Sequence, residues 1–175
     1  MGAAAFTMLF SQLPYLLEAR NISKSPAFAG NLTSVTSAGM FIAAFSYATL
    51  SGRISAMRMW SITFGLVGIG FAALSISPQL IGIIVGGFVT GLGTGLVMPN
   101  SLNMVLGRVP AVARGKAAGI QTTCWFLGIF AGPMIGVALS RVFEGPSNAL
   151  GVWSFVAVLT CLSYLMMNKH QTANS

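Results

Sequence analysis

The charges in this chain are few, and their spacing limits what it can fold into. Across 175 residues the uncharged runs are 1–17, 25–52, 59–107, 117–140 and 145–168. A helix needs about 20 mostly apolar residues to cross a bilayer. Four runs hold one such span each, the first being barely long enough. The run 59–107 holds two, divided at Ser77-Pro78-Gln79. The spacing predicts an all-α membrane protein, with residues 1–168 forming one six-helix transmembrane unit. Its spans are expected near 2–18, 29–50, 59–76, 80–106, 117–140 and 148–167, with a short cytoplasmic tail at 169–175. Only 6% of the residues are charged, against about 25% in soluble domains, too few to cover a surface that faces water.

The net charge is +7. In a soluble protein that would point to nucleic acid. Here the basic residues lie between spans, where the excess of Lys and Arg in cytoplasmic loops accounts for them, and no nucleic-acid partner is expected. Arg53, Arg58, Arg108, Arg114 and Lys116 fall in two loops on one side, joined by Lys169 of the tail. Arg20, Lys24 and Arg141 fall on the other, partly offset by Glu18 and Glu144. Both termini are therefore expected in the cytoplasm, in a multi-pass protein of a bacterial inner membrane. Cys124 and Cys161 lie within spans and read as small packing residues. No cluster of Cys and His suggests a metal site, and no cofactor is expected.

Residues 27–51 and 116–140 align without gaps. Ala29 and Ala118, Gly30 and Gly119, Thr33 and Thr122, Gly39 and Gly128, Leu50 and Leu139, and Ser51 and Ser140 coincide. The first and fourth spans echo each other more weakly, at Gln-Leu-Pro14 and Val-Met-Pro99. A three-span period is odd, so the second copy enters the membrane from the opposite side, an inverted repeat common in secondary transporters. Shared small-residue composition is the competing explanation.

Polar stripes mark four spans at helical spacing. Gln12 and Tyr15 belong to the first span, Met40 to a stripe on the second, Asn100 and Asn103 to the fourth, and Gln121 and Trp125 to the fifth. Polar groups are costly against lipid, so such stripes face protein or a watery cavity. Ser and Thr can also bond back to their own helix, and small residues can serve packing alone. The amides of Gln12, Asn100, Asn103 and Gln121 need more partners, which makes them candidates to line a cavity, and Tyr15, Met40 and Trp125 join them as aromatic and Met residues suited to an amphipathic solute. Gly128, Gly132 and Gly136 form a ridge for close helix contact. Pro133 frees a carbonyl near Ile129 and is expected to bend the helix.

These residues resemble the major facilitator superfamily, one six-helix half of its twelve-helix fold. Gly128-Ile-Phe-Ala-Gly132-Pro133-Met-Ile-Gly136 is similar to the family's Gly-x-x-x-Gly-Pro-x-x-Gly. Ala48-Thr-Leu-Ser-Gly52-Arg53-Ile-Ser55-Ala-Met-Arg58 resembles its cytoplasmic-loop motif, with Gly52 where the family has Asp. Gly87-Phe-Val-Thr90-Gly91-Leu-Gly93 keeps the glycines of the fourth-helix motif and lacks its Arg. Worn versions of these two motifs are usual in the family's C-terminal half, and the resemblance implies that half.

The resemblance implies secondary transport of a small solute by alternating access, as part of a permease or efflux transporter. Substrate would bind near the midplane between two halves, and Arg53, Arg58 and Arg114 would latch the cytoplasmic gate. For these cations topology alone is the competing account. The lipid bilayer, a small-molecule substrate and either a missing N-terminal half or a homodimer mate are the expected partners. A non-transporting fragment or a half-size protein is the alternative reading. A six-helix channel fits less well, since no selectivity element is visible. An enzyme would need a base beside its nucleophile, and no span carries His, Asp or Lys.

Overall fold

The computed structural model describes residues 2–22 and 25–173. Lys24 and the last two residues of the tail therefore lie outside the described residues. Six long helices carry the fold: α1 (Gly2–Ala19), α2 (Pro26–Ser51), α3 (Ala56–Ile76), α4 (Leu80–Leu106), α5 (Arg114–Val142) and α6 (Pro146–Ala173). A single 3-10 turn at Ala111–Ala113 leads into α5, and the described residues include no strand.

Local chemistry sets the helix ends. Pro26 opens α2 at its first turn, where the absent N–H costs nothing. Ser55 caps α3, its hydroxyl accepting from the Arg58 N–H at 3.4 Å. That helix stops at Ile76, two residues short of Pro78, whose ring disfavours helical geometry in the residue before it. After α1 the chain turns through Asn21 (φ 54°), and after α5 through Glu144 (φ 55°) and Gly145 (φ 132°).

Five helices, α2 to α6, are long and apolar enough to cross a membrane. The first span expected from the sequence falls short of that measure. α1 has 18 residues, about 27 Å at 1.5 Å per residue, and Gln12, Pro14, Tyr15 and Glu18 interrupt its apolar run.

Between helices in lipid there is little hydrophobic drive, so close contact depends on small residues. α4 lies between α2 and α3, α3 packs along α6, and α1 packs along α5. Gly91 and Gly95 of α4 sit against the backbone of Thr36 and Met40 on α2. Gly70 of α3 and Gly86 of α4 meet in the same way. The ridge on α5 receives α1: Gly128 faces Ala3, Gly132 faces Ala4 and Thr7, and Gly136 faces Met8 and Gln12. α1 thus runs beside the second half of α5. Along the first half Ile120, Phe126 and Leu127 stay exposed. The deepest packing gathers Met8, Leu16 and Leu17 of α1, Phe71 and Leu74 of α3, and Leu150 of α6.

Arg20 fastens one end of the bundle. Its guanidinium donates to the carbonyls of Leu74 (2.7 Å), Ser75 (2.6 Å) and Ser77, and to Ser147 Oγ at 3.2 Å. The last carbonyls of a helix have no partner within it, so Arg20 caps α3 while tying it to α1 and α6. Partial burial draws the guanidinium pKa below its ordinary value. Ser75 Oγ adds a 2.8 Å bond to the Ser147 carbonyl. At the opposite end Ser55 donates to Asn168 Oδ1 at 3.2 Å, joining the α2–α3 loop to α6.

Candidate solute pathway

Two hollows hold most of the candidate residues that line a cavity. The larger, about 670 Å³, opens where α1, α2, α4 and α5 converge. Met40, Phe41, Thr94, Met98, Leu102 and Trp125 are among its walls. The volume suits a small organic solute. The walls are mainly apolar, and none of the lining residues is charged. α4 shapes one side of this hollow: Gly95 lets it approach the Met40 backbone of α2 closely, and Pro99 removes a helical N–H one turn later.

The second hollow, about 360 Å³, lies at the Arg20 end, between α1, α5 and the start of α6. Gln12, Tyr15, Ser140 and Arg141 contribute its polar groups. Tyr15 is 58% exposed, whereas Gln12 is 1% exposed. Ser140 Oγ lies 2.8 Å from both Gln12 Oε1 and the Gly136 carbonyl, and its single proton can serve only one of them. With the amide reversed, Nε2 donates to Ser140 and the hydroxyl donates to Gly136. In either setting one polar atom of the buried amide has no partner.

The other amides lie elsewhere. Asn100 is 1% exposed and donates from Nδ2 to the Ala56 carbonyl at 3.2 Å, with Tyr47 Oη in a long 3.5 Å contact. It braces α4 against α2 and α3. Gln121 donates to Ser101 Oγ at 2.9 Å, linking α5 to α4. Asn103 is exposed and lines a recess of about 400 Å³ with Ser55, Met57 and Arg108 at the opposite end. Arg53, Arg58 and Arg114 are exposed at that same end. Thr33, Thr36 and Ser37 each bond back to a carbonyl of their own helix.

The sequence model described as Major Facilitator Superfamily matches residues 1–175. This chain belongs to that superfamily. Membership makes it an integral, multi-pass membrane chain of a transporter family rather than an enzyme. It is 27% identical over 104 residues to the niacin transporter NiaP of Acinetobacter baylyi, covering 59% of this chain and 24% of that protein. It is 28% identical over 101 residues to the riboflavin transporter RibZ of Clostridioides difficile, covering 58% and 22%. A Bacillus subtilis protein assigned provisionally as a niacin/nicotinamide transporter is 26% identical over 170 residues, covering 93% and 40%. The chain thus spans well under half the length of these relatives.

Set beside the superfamily's motifs, the ridge Gly128, Gly132 and Gly136 is the seat of α1. Ser140, one further step of four along α5, continues it, and that spacing was the sequence signal for Ser140 as the contact of Gln12. Arg141 and Arg20 stood out only as loop charges, since nothing local marks which carbonyl or hollow a long side chain reaches.

Proposed function

We propose that this chain is the C-terminal six-helix half of a secondary transporter, moving a small solute by alternating access across a bacterial inner membrane. The observation that carries the reading is the hollow where α1, α2, α4 and α5 converge. Those four helices carried the polar stripes, while α3 and α6 pack against each other away from it. A second six-helix body, on the same polypeptide or another, would close the hollow and place substrate near the midplane. The pairing of α2 with α4 and of α5 with α1 favours an inverted three-helix repeat, which exchanges α1 with α4 and α2 with α5, although α3 packs on α4 far more extensively than α6 on α1.

The relatives' names suggest the substrate class. Niacin and riboflavin are small heteroaromatic solutes. Trp125 and Met40 offer a flat ring and a polarisable thioether to such a solute. No charged residue lines the hollow, so ion coupling would depend on the other half. Arg53, Arg58 and Arg114 would act at the cytoplasmic rim.

Uptake of labelled niacin and riboflavin into proteoliposomes holding the complete transporter tests this reading. Trp125→Ala is expected to raise KM about tenfold or more, as the loss of an aromatic contact does. Met40→Trp, which fills the hollow, should abolish uptake. Trp60→Ala, which alters a ring stack between α3 and α6, should leave KM unchanged. Uptake indifferent to Met40→Trp would remove the hollow from the pathway.

A further inference from the structure

We infer that the hollow between α1, α5 and the start of α6 is a binding site for a small organic carboxylate, separate from the central hollow. Four observations converge there. Arg141, in the last turn of α5, is exposed and lines the hollow, and it makes no hydrogen bond or ion pair among the described residues. Gly145 and Pro146 place the N-terminal end of α6, a helix of 28 residues, in the same wall. That end carries the positive pole of the helix dipole. The Gln12 amide, nearly wholly buried, keeps one polar atom without a partner. Finally, a Cβ on Gly136 would stand 2.8 Å from Gln12 Nε2, so the glycine is what admits the amide to the wall.

A guanidinium and a helix N-terminus suit one planar anion, and so does the amide in the setting that leaves Nε2, rather than Oε1, unpartnered. Arg141 can hold a carboxylate through two parallel N–H bonds, while a cation would meet repulsion. Glu18 and Glu144 are near in sequence, but neither lines the hollow. An adjoining recess of about 420 Å³ shares Arg141 and Val137 and is otherwise lined by Pro133, Met134 and Ala138. It offers an apolar shelf for the body of the ligand. The site thus selects an anionic head on an apolar body, and unlike the central hollow it holds a cation of this chain to meet that head.

Equilibrium binding of labelled benzoate to the purified full chain, in nanodiscs of neutral phosphatidylcholine, tests the site without relying on transport. A negative result here therefore leaves the central pathway standing. Saturable binding is expected, and uncharged benzamide should not compete. Arg141→Gln should weaken binding about tenfold or more, the usual scale for losing a charge-assisted hydrogen bond. Arg141→Lys should recover part of it, and Ala138→Trp should weaken it by filling the shelf. Lys116→Gln, at the opposite end, should change nothing. The absence of saturable binding by the wild type, equal competition by benzamide, or full binding by Arg141→Gln would overturn the assignment. So would displacement of benzoate in nanodiscs containing phosphatidylglycerol, with that lipid retained by the wild type and lost from Arg141→Gln, because the occupant would then be a lipid headgroup.

Discussion

Gly91 has no room for a side chain. A Cβ there would run into the Thr36 carbonyl across the α2–α4 contact, and the obstacle is backbone, which cannot rotate aside. Gly119 has nothing within 4 Å of the same position. The two glycines look alike in the sequence, yet their Ala variants should move in opposite directions. Gly91→Ala should cost about 1–3 kcal/mol, the range for an overpacked contact. Gly119→Ala should be neutral or gain up to about 1 kcal/mol from helix propensity. Thermal unfolding of the two variants in one detergent checks this, and equal losses would mean that close approach is not what these glycines provide. Residue-scale detail was also where the sequence was least legible. The Gln12 and Asn100 amides were visibly polar groups in apolar helices. Ser140 continues the glycine spacing of α5 and could have been suspected as the contact of Gln12, but the contact of Asn100 with the Ala56 carbonyl depends on depth and rotation that spacing along one helix does not specify.

At the scale of elements, much more could be read in advance. An all-helical chain follows from charges spaced about one membrane thickness apart, and the superfamily was visible in Gly128-Ile-Phe-Ala-Gly132-Pro133-Met-Ile-Gly136. What holds one helix to the next was not, and Arg20 is the example. As a loop cation it looked like a topology signal, yet it caps α3 and ties that helix to α1 and α6. Arg20→Gln should leave the last carbonyls of α3 without their donor and loosen the end of α3. Faster amide exchange is expected over residues 72–77, with residues 60–68 unchanged. Arg20→Lys, which keeps the charge but not the planar fork, should protect those amides only in part. Exchange that is uniform across α3 in all three proteins would mean that the contacts at Arg20 do not hold the helix end.

For the whole molecule, orientation in the membrane decides what either hollow can see. The bundle has two chemically distinct ends. Arg53, Arg58, Arg108 and Arg114 gather at one, where Ser55 reaches Asn168. Arg20 and Arg141 lie at the other, where α1, α3 and α6 are bound together. Basic residues near span ends are retained in the cytoplasm during insertion, and on that ground we propose that the first end lies inside and the carboxylate site outside. Single cysteines can test this once Cys124 and Cys161 have been replaced. Val112→Cys falls in a fully exposed turn at the first end, and Gln79→Cys falls at the second. A membrane-impermeant maleimide applied to intact spheroplasts should label Gln79→Cys and spare Val112→Cys, and inverted vesicles should give the reverse. If Val112→Cys reacts in spheroplasts instead, the chain is inserted the other way round. Arg141 would then face the cytoplasm, its site would sample metabolites rather than incoming solutes, and the Arg53 end could not act as the inward gate.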